Sequence, residues 1–141
     1  TWKNGMKLSA KKQSSLDKKI KPQLEFINNL KICKNFEASI FRDNFKNITV
    51  VWRIFLLHII NPEKYPIYDQ HIHRAYNFIH GLSYNSQEIK SQTKMEMQSF
   101  YFDIYLTFIN SIKGIDLKTI DEAFFVFGKF LKTNSYAKLV E

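Results

Sequence analysis

The chain has 141 residues, a length that suits one domain with a sizeable core, and 45% of them are hydrophobic. Its four glycines and three prolines are too few for the many turns of an all-β sandwich, which favours an all-α fold. The single Cys33 excludes an internal disulfide and fits a reducing compartment, and no apolar run reaches the roughly 20 residues of a membrane span. We therefore expect a cytoplasmic protein without a membrane segment.

The formal net charge of +8 is concentrated at one end of the chain. Residues 1–48 hold eleven Lys or Arg and four acidic residues, a balance of +7, and the rest of the chain contributes +1. A basic end on a nearly neutral body is typical of a protein that binds a polyanion such as nucleic acid, and a solvated lysine-rich face is the alternative. The candidate phosphate contacts in this part are Lys11, Lys12, Lys18, Lys19 and Lys46.

Apolar spacing in the first third predicts short helices. Residues 1–10 form a frayed lead, and the amphipathic pattern that follows breaks at Pro22, because proline cannot supply a helical N–H. Residues 36–45 carry one apolar stripe and predict a further short helix. With the segments that follow, we expect a compact bundle of about six helices in one domain, 1–141.

The most apolar stretch is 49–60, which is interrupted only by Arg53 and His58. As a helix it would be buried on every side, and Pro62 would end it. A charge on such a helix needs a partner, so Arg53 predicts either a bound phosphate or an internal pair with Asp43 or Asp69.

The segment after this helix predicts a loop and then a second helix. Asp69 stands where its carboxylate can cap the first turn, and Gly81 suits a left-handed end. A broad apolar helix then runs to Gly114, and Thr119 with Glu122 predicts a capping box for the last helix. Gly128 inside that helix indicates that another backbone or a bulky ring approaches it closely.

Two motifs resemble those of the helix-hairpin-helix DNA base-excision glycosylases, the endonuclease III-like superfamily. The segment PIYDQHIHRAYNFI (66–79) is similar to the helix-loop-Asp-helix part, in which an Asp-x-His-apolar-x-Arg pattern here reads from Asp69 to Arg74. The string NPEKYPIYD before Asp69 and a DxAFFxFGKFLK-like helix at residues 121–132 resemble bacterial members more closely. The resemblance implies that Asp69 is catalytic, stabilising a sugar cation or activating water, and that Arg53 and Arg74 contact nucleic acid.

The chain departs from this family upstream of Asp69. Residues 45–51 contain no glycine to approach a DNA phosphate, and Val51 lies near the position of the nucleophilic lysine of the bifunctional members. The resemblance therefore implies, at most, removal of a base by water, and no lyase reaction.

Four further residues are candidates for a pocket beside Asp69, namely Tyr65, Tyr68, His58 and His73. The tyrosines could stack on an extruded base or, alternatively, pack against the proline-bearing loop. His58, Asp69 and His73 match no metal-site spacing, so we predict no metal and no cofactor. Two functions remain open: a nucleic-acid-binding, glycosylase-like protein with or without residual activity, and a non-catalytic helical module that binds a protein partner.

Overall fold

A computed structural model describes residues 8–33, 36 and 38–133 of the chain. These residues form helices and no strand, which confirms the all-α prediction. Tertiary contacts divide the chain into two compact units, Thr1–Thr49 and Val50–Glu141, where the composition had suggested one domain. The boundary falls one residue beyond the basic part. Most of the predicted frayed lead, residues 1–7, lies outside the described residues.

The described part of the first unit contains three α-helices. Helix α1, Ala10–Lys19, begins at Ser9, whose hydroxyl accepts the N–H of Lys12. The predicted break at Pro22 is a 3-10 turn, Lys21–Gln23, which leads into α2, Leu24–Cys33. Helix α3 spans Ala38–Asn44. The buried apolar side chains of this unit are Ile20, Ile27, Leu30, Phe41 and Phe45.

The second unit opens with α4, Val50–Ile60, which ends before Pro62 as predicted. The prediction that this helix is buried on every side is wrong, because Val51 is 45% exposed and Ile59 is 41% exposed. These two residues are eight positions apart and therefore lie on one side of the helix. One side of α4 faces solvent even though it carries apolar residues.

Helix α5 spans Gln70–Ile79, with Asp69 as its N-cap and Gly81 in the left-handed conformation (φ 66°) beyond its end. Both predicted ends of this helix are confirmed. Helix α6, Ser86–Ser91, follows a short loop.

A long helical stretch follows, formed by α7 (Lys94–Ser99), a π-helical segment (Phe100–Tyr105) and α8 (Leu106–Ser111). The π-helical segment was not predicted, since its aromatic residues fit an ordinary helical stripe. It buries Phe100, Tyr101 and Tyr105. The main core of the second unit comprises Val50, Ile54, Tyr68, Ile72, Tyr76, Phe100, Tyr101, Tyr105, Ile109 and Ile120.

The last described helix, α9, spans Leu117–Leu131 and begins earlier than predicted. Its N-cap is Asp116, whose carboxylate accepts the N–H of Thr119 at 3.0 Å. The proposed capping box of Thr119 and Glu122 is therefore wrong, because Thr119 already lies in the first turn. None of the described helices is long and apolar enough to cross a membrane.

Helices α5 and α9 approach closely at Gly128, which confirms the prediction made for this glycine. A Cβ atom built on Gly128 would lie 1.8 Å from the carbonyl oxygen of His71, closer than any real contact. The neighbouring atom belongs to backbone, so it cannot rotate away as a flexible side chain could. Only glycine fits between the two helices here.

We expect Gly128→Ala to lower the free energy of unfolding by at least about 2 kcal/mol, measured by urea denaturation. The helices must separate to admit the methyl group, and this cost exceeds the gain of about 1 kcal/mol that alanine brings to a helix. Gly81→Ala is the matched control. It has no atom within 4 Å of the added Cβ and a positive φ, so it should cost only about 1 kcal/mol. Equal losses in the two variants would contradict the steric explanation.

Candidate functional site

Three polar side chains hold the loop 61–68. The Nδ1 of His58 lies 2.8 Å from the carbonyl oxygen of Tyr65, and since a carbonyl can only accept, this nitrogen donates. The hydroxyl of Tyr101 donates to the carbonyl of Pro66 at 2.7 Å. The N–H of Ile67 donates to Oδ2 of Asp121 at 3.0 Å. The loop that precedes Asp69 is therefore fixed by helices α4 and α9 and by the π-helical segment.

Asp121 is the acidic group most perturbed by this arrangement. Burial raises its pKa to about 6, although the N–H of Ile67, the charge of His58 and the hydroxyl of Tyr105 at 3.4 Å all favour the charged form. Sequence reasoning missed this residue as a titrating group. Its place in an apolar stretch, three residues before Phe124, was the available sign, because a carboxyl among aromatic residues loses hydration.

Asp69 acts as a helix cap within a buried setting. Its Oδ1 accepts the N–H of His71 at 2.9 Å, and the residue is 9% exposed. It also lies 3.9 Å from Nε2 of His71 and exerts its charge on Arg74. The carboxylate therefore orders the start of α5 and balances the positive charge beside it.

The candidate pocket residues lie in packed surroundings. Tyr65, Tyr68 and His73 are buried, and the ring of His73 stacks on Phe100 with centroids 3.6 Å apart. Burial lowers the pKa of His73 to about 4, so its imidazole is neutral at pH 7, and its Nδ1 lies 2.9 Å from the hydroxyl of Tyr68. Packing against the loop, the alternative considered for the tyrosines, describes their positions better than an open stacking platform does.

Arg74, which the resemblance implied as a nucleic-acid contact, is buried between helices. It is 1% exposed and donates from Nη1 to the carbonyl of Gly128 at 3.0 Å and to Nδ1 of His71 at 2.9 Å. Its Nη2 donates to the hydroxyl of Ser86 at 2.8 Å. A guanidinium can only donate, so Nδ1 of His71 accepts, and its 3.4 Å approach to Gly128 is not a hydrogen bond. Arg74 thus joins α5 to α9 and α6.

The candidate phosphate contacts of the first unit lie on its surface. Lys11, Lys12, Lys18, Lys19 and Lys46 are exposed. The Nζ of Lys19 donates to the carbonyl of Asn47 at 2.9 Å, which holds the loop carrying Lys46 beside the end of α1. Arg53, on α4 of the second unit, is half-buried.

Among the described residues, no three His, Cys, Asp or Glu side chains come together as a metal site. In comparisons with known proteins, no family model, no curated protein and no solved structure matches this chain.

We expect Asp69→Ala to lower the free energy of unfolding by about 1 kcal/mol and Asp69→Asn to lower it by much less, because asparagine also caps helices. Urea denaturation of both variants measures this. An asparagine variant as unstable as the alanine variant would show that the negative charge, rather than the cap, is what α5 requires.

The raised pKa of Asp121 predicts the direction in which the stability of the protein changes with pH. In the folded protein this carboxyl holds its proton up to about pH 6, and in the unfolded chain it loses it near pH 3.8. Its contribution to stability is therefore present below pH 3.8 and is lost as pH rises to 6. Relative to wild type, Asp121→Asn should gain on the order of 2 kcal/mol between pH 4 and pH 6.

Chemical denaturation at several pH values tests this, and the difference between variant and wild type removes the opposing titration of His73. Asp116→Asn is the control on the same helix. Hydrogen bonds from Thr119 lower the pKa of Asp116, so its stabilising contribution is lost as pH falls. If the difference in unfolding free energy between Asp121→Asn and wild type does not change with pH, burial does not raise the pKa of Asp121 as assigned.

Proposed function

We propose that this protein is a nucleic-acid-binding helical module whose first unit contacts the phosphate backbone through α1. The lysines on one face of this helix carry the proposal. Lys11 and Lys18 are seven residues apart, as are Lys12 and Lys19, so each pair forms a row along the helix axis, and the rows are about 100° apart around it.

The spacing of these rows suits a polyanion. Seven residues of helix rise by roughly 10 Å, a separation over which the flexible side chains of the two lysines in a row can contact two different phosphates of a strand. Asp17, the acid of this helix, lies on its other side and pairs with Lys21 at 2.6 Å. The lysine face therefore keeps its positive charge.

The second unit supports binding without catalysis. Base hydrolysis would need a carboxylate that a substrate sugar can reach. Asp69 is buried and accepts an N–H of its own helix, and the residues that were candidates for a pocket beside it are themselves largely buried. Both motifs that resemble the glycosylases contribute contacts between helices, through Ile67 with Asp121 and through Arg74 with Gly128. We infer that the scaffold is retained and that its motifs maintain the fold.

The test is a titration against duplex and single-stranded DNA at two salt concentrations. We expect binding that weakens with salt. The triple variant Lys11→Glu, Lys12→Glu, Lys18→Glu should lower the slope of log K against log salt for duplex DNA by about 0.9 for each phosphate that the protein no longer neutralises. Lys19 is left unchanged because its ammonium donates to Asn47.

The matched control reverses three exposed lysines of the second unit, Lys90, Lys94 and Lys129, and so changes the net charge equally. It should bind DNA with nearly the wild-type slope. Equal decreases in the two triple variants would point to net charge alone, and absence of salt-dependent binding in the wild type would favour a module that binds a protein partner. Release of free base by wild type but not by Asp69→Asn would instead support base hydrolysis with Asp69 as the catalytic residue.

A further inference from the structure

A cavity of about 390 Å³ that is widely open to solvent lies in the second unit, between the loop that follows α5 and the end of α9. The residues that matter in its lining are Arg74, Ser83, Tyr84, Asn85, Ser86 and Lys132. Its volume is within the range of small-molecule sites in proteins, toward the lower end. Apart from Arg74, the residues that line the cavity follow α5 in the sequence, whereas the loop 61–68 precedes it. Arg74 is the one cavity residue that was also a candidate for the glycosylase-like site.

The polar lining is positive and rich in hydrogen-bond donors. It includes a guanidinium and an ammonium, and no Asp or Glu of the described residues contributes to it. Arg74 is 1% exposed, so its charge is held there by the fold, whereas Lys132 is exposed and can move toward a ligand. Both cations also act on His71, where they add to the effect of burial in lowering its pKa. Asp69 offsets part of this charge but does not line the cavity.

Two groups at the cavity have hydrogen-bonding capacity left over. The Nε of Arg74 is buried and has no hydrogen-bond partner among the described residues. A buried donor without a partner is unfavourable, and an acceptor supplied by a ligand would relieve this. The oxygen of Ser86 accepts from Arg74 at 2.8 Å, which leaves the hydroxyl hydrogen of Ser86 to donate to another acceptor.

We propose that this cavity binds a phosphate monoester, with the phosphate between Arg74, Ser86 and Lys132. Arginine, lysine and hydroxyl donors together suit a small oxyanion of high charge, because charge-assisted hydrogen bonds are the strong ones. The ring of Tyr84 lines the same cavity and packs edge-on against Phe78 with centroids 5.3 Å apart, which fixes an aromatic surface beside the phosphate position.

Isothermal titration calorimetry with inorganic phosphate, adenosine 5′-monophosphate and adenosine tests the site. We expect both phosphate compounds to bind and adenosine to bind far more weakly. Lys132→Glu should weaken the binding of the monophosphate by roughly tenfold or more, and Ser86→Ala by a few fold, since each removes a donor to a charged group. Lys132→Glu leaves the hydrogen bonds of Arg74 unchanged. Ser86→Ala also removes an acceptor of Arg74, so the folding of this variant is checked by urea denaturation.

Lys129→Glu is the control for charge, since Lys129 is exposed on the same helix and does not line the cavity. It should bind the monophosphate within about twofold of wild type. The proposal is overturned if the monophosphate does not bind at roughly 10 mM, if adenosine binds equally well, or if Lys132→Glu and Ser86→Ala behave like Lys129→Glu.

The phosphate could belong to a free small molecule or to the end of a nucleic-acid strand, and the two sources can be separated. Single-stranded oligonucleotides with a 5′-phosphate or a 5′-hydroxyl are compared on the protein carrying Lys11→Glu, Lys12→Glu and Lys18→Glu. Tighter binding of the phosphorylated strand, abolished by adding Lys132→Glu, identifies a strand end, and binding of the monophosphate alone identifies a small ligand. Because the charge of the lysine face is already reversed in this variant, failure of the proposed DNA contact would not be mistaken for failure of the phosphate site.

Discussion

The contact of α5 with α9 at Gly128 is the constraint on which the second unit depends. Two helical backbones meet where a side chain would leave no room, and the carbonyl of Gly128 then accepts a hydrogen bond from the buried guanidinium of Arg74. At the start of α5, Asp69 caps the helix and supplies a negative charge for Arg74. Loss of the close approach would separate the arginine from its acceptor as well as opening the interface.

The loop before α5 explains why several groups suited to chemistry have structural partners. A polar group shielded from water is tolerated when it is hydrogen-bonded, and Asp121, Tyr101 and His58 satisfy the backbone of this loop, which has no regular structure of its own. These hydrogen bonds fix the loop that leads into α5. The two motifs that resemble glycosylases thus contact each other, and their polar residues are largely occupied in doing so.

The two units of the protein differ in how their charge is distributed. The second unit keeps its ionisable groups largely balanced, whereas α1 of the first unit exposes two rows of lysines. Electrostatic attraction to a polyanion acts at long range and needs no shaped pocket, so an exposed basic face is sufficient for it. A cavity lined by Arg74 and Lys132 is a different kind of site, because there the charge is held in place by packing.

The sequence by itself determined the helical class, the break at Pro22, the end of α4 before Pro62, and both ends of α5. Each of these follows from local chemistry: a missing N–H, a carboxylate able to cap, or a glycine able to take a positive φ. The need for glycine at position 128 was also readable, because glycine inside a helix is unfavourable unless space is short.

Only the tertiary structure decided which side of α4 is exposed and where Arg74 and Asp121 lie. The positions of Arg74 and Asp121 depend on partners 16 to 54 residues away in the chain, through the hydrogen bond that Tyr105 donates to Asp121 and the one that Arg74 donates to Gly128. Local patterns indicate which residues could be charged or buried. The burial that raises the pKa of Asp121 and encloses Arg74 comes from the way distant helices pack.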